Sequence, residues 1–250
     1  MGMAMIWLRS ALYAVWFWGT LLVMASFGQL LPRAWLTVYA RAWARITLSG
    51  LWLAGVRVEI TGREHLPTSG PVLIASQHQS EFDTVIWLGV LPRCRYVVKT
   101  ELLRLPLFGR LVRRSGQIAV DRAGGAATLR QLLRDGAAAL AAGRQLVIFP
   151  EGTRVPIGQT VPLQPGVAAL AAYTGIAVVP VATDSGRSWP GKSFLKRPGV
   201  IRIEICRPLP AGLGRAALLA GLDEAYRRSQ VHSNVIPVDN SVGSQITRLS

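Results

Sequence analysis

The chain is 250 residues long, half of them apolar, and it carries a formal charge of +15. That length accommodates one sizeable domain with an appendage. Apolar and basic together, the composition points to a membrane surface, or to an anionic substrate held at one, and away from a plain cytosolic enzyme. Nucleic acid, the other partner of a basic chain, does not fit: no basic run is interleaved with aromatics, and a long apolar N-terminus is out of place in that role. The two cysteines, Cys94 and Cys206, stand far apart with no Cys/His cluster, which argues against a disulfide framework or a zinc site and suits a reducing compartment.

Across residues 11–31 nothing is charged, and those 21 residues are enough to cross a bilayer. The run is too long for the apolar part of a signal peptide, and no small-x-small cleavage site follows it. Pro32 breaks it. In residues 33–53, Arg33, Arg41 and Arg45 share one helical face among Trp35, Tyr39, Trp43 and Trp52. The composition predicts a helix lying in the headgroup region, its arginines reaching outward to phosphates. Two membrane topologies fit, one span plus an interfacial helix or a two-helix hairpin dipping into one leaflet, against a buried helical hairpin in a soluble core, which the flanking tryptophans disfavour. Three arginines after the run against Arg9 before it place the C-terminal side in the cytoplasm.

From Val56 the pattern becomes that of a mixed α/β domain. V-R-V-E-I alternates like a strand, Gly70-Pro71 marks a turn, and V-L-I-A at 72–75 reads as a buried strand. Further strands are predicted at 96–98, 118–120, 146–149, 177–181 and 200–205. Short helices fall within 102–112, interrupted at Pro106, and another starts near Thr84. In 126–142, Leu129, Leu132, Leu133 and Leu140 recur at helical spacing before Gly143 closes the helix. Helices at 166–173 and 215–228 complete the set. The expected fold is α/β, a mixed and largely parallel sheet flanked by helices over 56–228, behind a two-helix membrane anchor at 1–55. Residues 229–250 are polar and without period, and read as a mobile tail.

Sites in such sheets gather at the carboxyl ends of strands. Four loops qualify: 76–84, S-Q-H-Q-S-E-F-D-T; Lys99-Thr100-Glu101; Asp121-Arg122; and Pro150-Glu151-Gly152-Thr153-Arg154. His78 and Asp83, five apart, lie roughly 140° apart on a helix and on opposite faces of a strand. They meet only if the chain turns between them. There a carboxylate fixes the imidazole tautomer and leaves the other ring nitrogen free as a base. The same letters also suit Asp83 as a plain helix cap with His78 on the surface. Gly152, Thr153 and Arg154 after a buried strand can wrap amides and a guanidinium around a phosphate. Lys99 and Arg122 are weaker candidates, since each can pair with Glu101 or Asp121. G-R-S-W-P-G-K-S at 186–193 formally satisfies a phosphate-loop pattern. That pattern needs a helix after its Lys-Ser, which Pro198 and Gly199 forbid, and Pro190 removes a donor. No G-x-S-x-G elbow supports an esterase.

H-Q-S-E-F-D at 78–83 resembles the first block of the glycerolipid H-x4-D acyltransferases, the family of the 1-acyl-sn-glycerol-3-phosphate acyltransferases. Lys99, Glu101, Leu102, Pro106 and Gly109, followed by Gly116, Ile118, Asp121 and Arg122, resemble its second block. F-P-E-G-T-R at 149–154 is similar to the third, and V-V-P-V at 178–181 to the fourth. The blocks keep the family's order; Gln77 departs from the Asn or Lys of many members. The resemblance implies transfer of a fatty acyl group from acyl-CoA or acyl-carrier protein to the free hydroxyl of lysophosphatidic acid, giving phosphatidic acid, with no cofactor beyond that co-substrate and no metal. It implies His78 as general base, oriented by Asp83, and substrate binding by Glu151, Gly152, Thr153 and Arg154, helped by Arg122 and Lys99. Another lysolipid, such as a lyso-ornithine lipid, and glycerol-3-phosphate stay open as acceptors, as does a non-enzymatic lipid-binding protein of the same fold. The implied place is the inner membrane of a bacterium, the catalytic domain on the cytoplasmic side.

Overall fold

A computed structural model describes residues 2–121, 124–229 and 231. Seven strands form one sheet: β1 (Val56–Thr61), β2 (Val72–Ser76), β3 (Cys94–Lys99), β4 (Ile118–Val120), β5 (Gln145–Ile148), β6 (Val178–Thr183) and β7 (Gly199–Ile205). Uninterrupted apolar runs make its middle. β2, β5 and β6 are buried at every position, as strands covered on both faces must be. They lie side by side in the order β1-β7-β6-β2-β5-β3-β4. The pairs β2–β5, β2–β6, β3–β5 and β3–β4 are parallel, with Leu73 opposite both Leu146 and Val178, so five carboxyl ends share one edge. β7 returns antiparallel to β6, and β1 pairs parallel to β7, so these two run the other way. Between β6 and β7 the chain makes only one helical turn, with no crossover helix of the kind that brings a parallel strand back.

The helices are α1 (Met3–Phe27), α2 (Leu36–Ser49), α3 (Phe82–Val90), α4 (Phe108–Arg114), α5 (Gly125–Ala141), α6 (Gly166–Thr174), α7 (Ser185–Ser188) and α8 (Arg215–Arg228). Successive strand residues point to opposite faces. Ile74, Val147 and Val181 therefore meet Phe82 and Trp87 of α3 and Tyr13 of α1. Leu73, Ala75, Leu146 and Ile148 meet Leu132, Leu170 and Leu222 of α5, α6 and α8. Gly136 lets α5 and α6 close on each other: a Cβ there would stand 2.9 Å from the Leu170 Cδ1. Leu129, placed by its spacing with the core leucines, sits at the rim and is exposed. The predicted strands and helices are present with shifted ends. The shift that matters is α3, which begins at Phe82, so Asp83 stands inside its first turn. The tail at 229–250 lies almost wholly outside the described residues, as does Arg122.

α1 is long and apolar enough to cross a membrane, and Leu8, Leu12, Val15, Leu22 and Val23 on it are exposed. Both of its ends are nevertheless fastened to the same domain. Near the start, the Ser10 hydroxyl accepts the Lys196 N–H at 2.8 Å and Tyr13 meets Trp189 edge-on at 5.3 Å. At the far end, Arg114 of α4 donates to the carbonyls of Gly28 at 3.1 Å, Gln29 at 2.8 Å, and Leu31. About 27 Å of helix separates these attachments, so α1 lies along the domain. α2 departs from expectation. Trp43, Ala44 and Thr47 are buried, and Arg41 and Arg45 donate to the Gly89 carbonyl at 3.4 and 3.3 Å. These two arginines reach back into the protein because the last turn of α3 offers unpaired carbonyls and the negative end of its dipole.

Candidate active site

β2 ends at Ser76, the chain turns through residues 77–81, and α3 starts. The turn is closed by one carboxylate oxygen. Asp83 Oδ2 accepts the N–H of Gln79 at 2.7 Å and of Ser80 at 2.8 Å, and stands 3.3 Å from His78 Nδ1. Asp83 is buried, so its charge rests on those amides and on the positive end of α3. A short acid in the first turn of a helix can reach back only to the residues just before it, which is why a spacing of five brings imidazole and carboxylate together. With Nδ1 facing Asp83, the ring carries its proton there, and among the described residues Nε2 has no hydrogen-bond partner. The Phe149 ring stacks on the imidazole at 4.2 Å and 23° and holds its plane.

The backbone of His78 is held as firmly as its ring. After β5 the chain turns tightly, with Gly152 in the left-handed region at φ 69°. The turn points the Glu151 carboxylate at the His78 N–H, 2.6 Å away, while the Val155 N–H donates to the His78 carbonyl at 2.7 Å. Burial pushes the Glu151 carboxyl up to about 8, against the opposing pull of the His78 N–H. Substrate binding by Glu151 is the expectation this qualifies, because its carboxyl group is engaged by the backbone N–H of His78.

The cations are placed unequally. Arg154 is on the same edge as His78 and forms an ion pair with Glu81, the residue just before α3. Thr153 is exposed beside it. Lys99 ends β3 on that edge, exposed, its side chain making no hydrogen bond or ion pair with another described residue. The structure thus brings together His78, Asp83, Glu151, Gly152 and Arg154, while Lys99 stands apart and Arg122 is outside the described residues. Sequence reasoning missed Glu81 as the arginine's partner and Phe149 as the ring's support. It also missed the segment after β6: the Gly186 N–H donates to Gln79 Oε1 at 3.0 Å and the Ser80 hydroxyl to Ser185 at 3.1 Å. The phosphate-loop pattern at 186–193 fails as expected, since no helix follows Lys192 and that residue is exposed. On the α8 side of the turn, Gln77, Gln79, Glu151, Leu163 and Tyr226 line a cavity of about 750 Å³.

A model of the acyltransferase family matches residues 57–184, the span holding His78, Asp83, Lys99, Glu151, Gly152, Thr153 and Arg154. The 1-acyl-sn-glycerol-3-phosphate acyltransferase of Pseudomonas aeruginosa is 37% identical over 193 residues, covering 75% of this chain and 73% of that one. The human 1-acyl-sn-glycerol-3-phosphate acyltransferase alpha is 30% identical over 161 residues, 64% of this chain and 57% of the relative. The crystal structure of the 1-acyl-sn-glycerophosphate acyltransferase PlsC from Thermotoga maritima superposes with a TM-score of 0.69 at 22% identity, over 89% of this chain and 92% of that one, and shares its fold. With the matched span covering half of its length and a relative this similar over three quarters of it, the chain belongs to the acyltransferase family.

Proposed function

We propose that the chain acylates the free hydroxyl of 1-acyl-glycerol-3-phosphate to give phosphatidic acid, drawing the acyl group from a thioester of coenzyme A or of acyl-carrier protein. The observation that carries this reading is the sharing of Asp83 Oδ2 among two amides and His78 Nδ1, which leaves Nε2 as the available base. Nε2 takes the proton of the acceptor hydroxyl as its oxygen attacks the thioester carbonyl. Asp83 stabilises the imidazolium that forms. The tetrahedral intermediate expels the thiolate, which recovers the proton from the imidazolium. No acyl-enzyme is needed, and no serine or cysteine is asked to act as nucleophile.

Arg154, with the amides around Gly152 and Thr153, receives the acceptor's phosphate, Lys99 adds charge from the end of β3, and Arg122 is a further candidate on the resemblance alone. Glu81 holds the guanidinium until the phosphate arrives. The names of the relatives support this acceptor. The uncovered apolar face of α1 supports work at a lipid surface, and its attachment at both ends favours a helix lying in one leaflet over a span. In a bacterium that surface is the cytoplasmic face of the inner membrane. The test is release of free thiol from a thioester donor in the presence of lysophosphatidic acid, compared with glycerol-3-phosphate and a lysolipid lacking phosphate. Turnover that ignored the phosphate, or that survived His78→Ala, would sink the reading.

A further inference from the structure

The segment between Thr100 and Arg114 holds the most conspicuous backbone strain among the described residues near the membrane helices. A 3-10 helix (Thr100–Arg104) runs into α4 through Leu105-Pro106-Leu107. Leu107 sits at φ 58° and ψ −57°, the strained geometry of a γ-turn, which costs a residue with a side chain more than it costs glycine. The Phe108 N–H closes the turn on the Pro106 carbonyl at 2.5 Å. The strained turn does not serve to bury its side chains: Leu105 and Leu107 are each 48% exposed. Two unfavourable features coincide, a left-handed leucine and a pair of leucines in water.

The rest of the fold secures that arrangement. Gln29, just past the end of α1, donates to the Leu107 carbonyl at 3.0 Å and to Ala25 at 2.9 Å. Arg114 ties the α1–α2 connection to α4, and Leu111 packs against Gly28, where a Cβ would come within 3.0 Å of it. The turn is thereby fixed beside Phe27 and Leu30, which are 61% and 81% exposed. The result is one apolar surface built from two separate parts of the chain. Cations flank it: residues 99–114 carry Lys99, Arg104, Arg110, Arg113 and Arg114 against the single acid Glu101.

We propose that the turn Leu105–Leu107 is a membrane-inserting element in its own right, its two leucines entering the acyl-chain zone of an anionic bilayer beside the end of α1, with Arg104, Arg110 and Arg113 meeting the headgroups. The inference rests on the reading that the enzyme works at a lipid surface. Continuity with the uncovered face of α1 and the cationic flank identify the occupant as anionic lipid. Insertion also explains why the strain is tolerated, since leucines that leave water on binding offset it. It places the Lys99 end of β3, at the catalytic edge, a few residues from the lipid.

The test labels Leu107→Cys with an environment-sensitive fluorophore in a Cys206→Ser background, Cys94 being buried, and mixes the full chain with phosphatidylglycerol/phosphatidylcholine vesicles. A blue-shifted label, quenched by nitroxides on lipid acyl chains and shielded from aqueous iodide, is the expected result. Leu105→Ser/Leu107→Ser should weaken vesicle binding about tenfold while turnover on a detergent-dispersed acceptor is kept. Leu107→Gly separates insertion from packing, because it relaxes the backbone: its melting temperature should hold or rise while vesicle affinity falls. A wild-type chain that stays off anionic vesicles overturns this inference and the lipid-surface reading together. A chain that floats with its label open to iodide overturns the insertion alone, as does lipid-free self-association that the double serine variant abolishes, which would assign the surface to a second copy.

Discussion

Two loops hold His78, and they hold it by opposite means. The turn before α3 presents Asp83, a buried carboxylate stabilised by two amides, which acts on the side chain through Nδ1. The loop after β5 presents Glu151, a buried carboxyl with one backbone partner, which acts on the main chain at 2.6 Å. Glu151 is pushed up to about 8 because burial outweighs that single donor. The comparison separates side chain from main chain: one acid sets the tautomer of the His78 ring, and the other fixes where its Cα stands. Substitutions that keep shape and remove charge should therefore affect the two quite differently.

The largest effect is expected from Asp83→Asn. The amide oxygen still accepts the Gln79 and Ser80 N–H groups, so stability should change by no more than about 1 kcal/mol. The same amide oxygen still faces His78 Nδ1 but carries no charge to stabilise an imidazolium, and kcat should fall by roughly 10²–10⁴-fold, the range of general-base losses. Thermal melts beside steady-state kinetics check both halves. A variant that lost stability but kept kcat would assign Asp83 to capping alone.

Next comes the Arg154–Glu81 side of the same edge. Arg154→Ala should raise KM for the phosphorylated acceptor by about 10- to 100-fold, the worth of a charge-assisted hydrogen bond, with a smaller change in kcat. Glu81→Gln should act in reverse. It frees the guanidinium from a partly exposed ion pair worth at most about 1 kcal/mol, so KM should drop by up to about fivefold. If both variants leave KM unmoved, Arg154 does not bind the phosphate.

The sequence makes these loops legible unevenly. V-L-I-A and L-V-I-F announce buried strands because nothing polar interrupts them, and the strand-end rule then points to the two loops that the structure brings together at His78. The H-x4-D spacing is readable because a turn is the only geometry that unites its ends. Direction is not readable: the alternation of β1 and β7 is the same whichever way a strand runs, so their reversal needed the structure. Nor is partnership across distance. Glu151 meets His78 over 73 residues, and Arg41 and Arg45 meet the Gly89 carbonyl from another helix. No local pattern encodes these meetings, because they depend on how whole elements pack.

The smallest effect on turnover belongs to Glu151→Gln, and it is the sharpest test of the comparison. The glutamine carbonyl accepts the same His78 N–H, so kcat should change only a few-fold. Its signature is in the pH dependence of stability. In the unfolded chain Glu151 ionises near its ordinary 4.5, whereas in the folded protein it keeps its proton up to about 8. Between those limits the native state binds more protons, so this group's contribution to stability is present below about 4.5, falls as pH rises, and is gone above about 8. Glutamine has no such titration. The wild type should therefore lose stability relative to Glu151→Gln from pH 5 to pH 8, by an amount on the order of a few kcal/mol. Parallel melting curves across that range would mean that Glu151 ionises normally beside His78, and the contrast between the two acids would fail. Glu151→Ala should instead be less stable than Glu151→Gln by about 1–3 kcal/mol at every pH, since it leaves a buried amide without a partner.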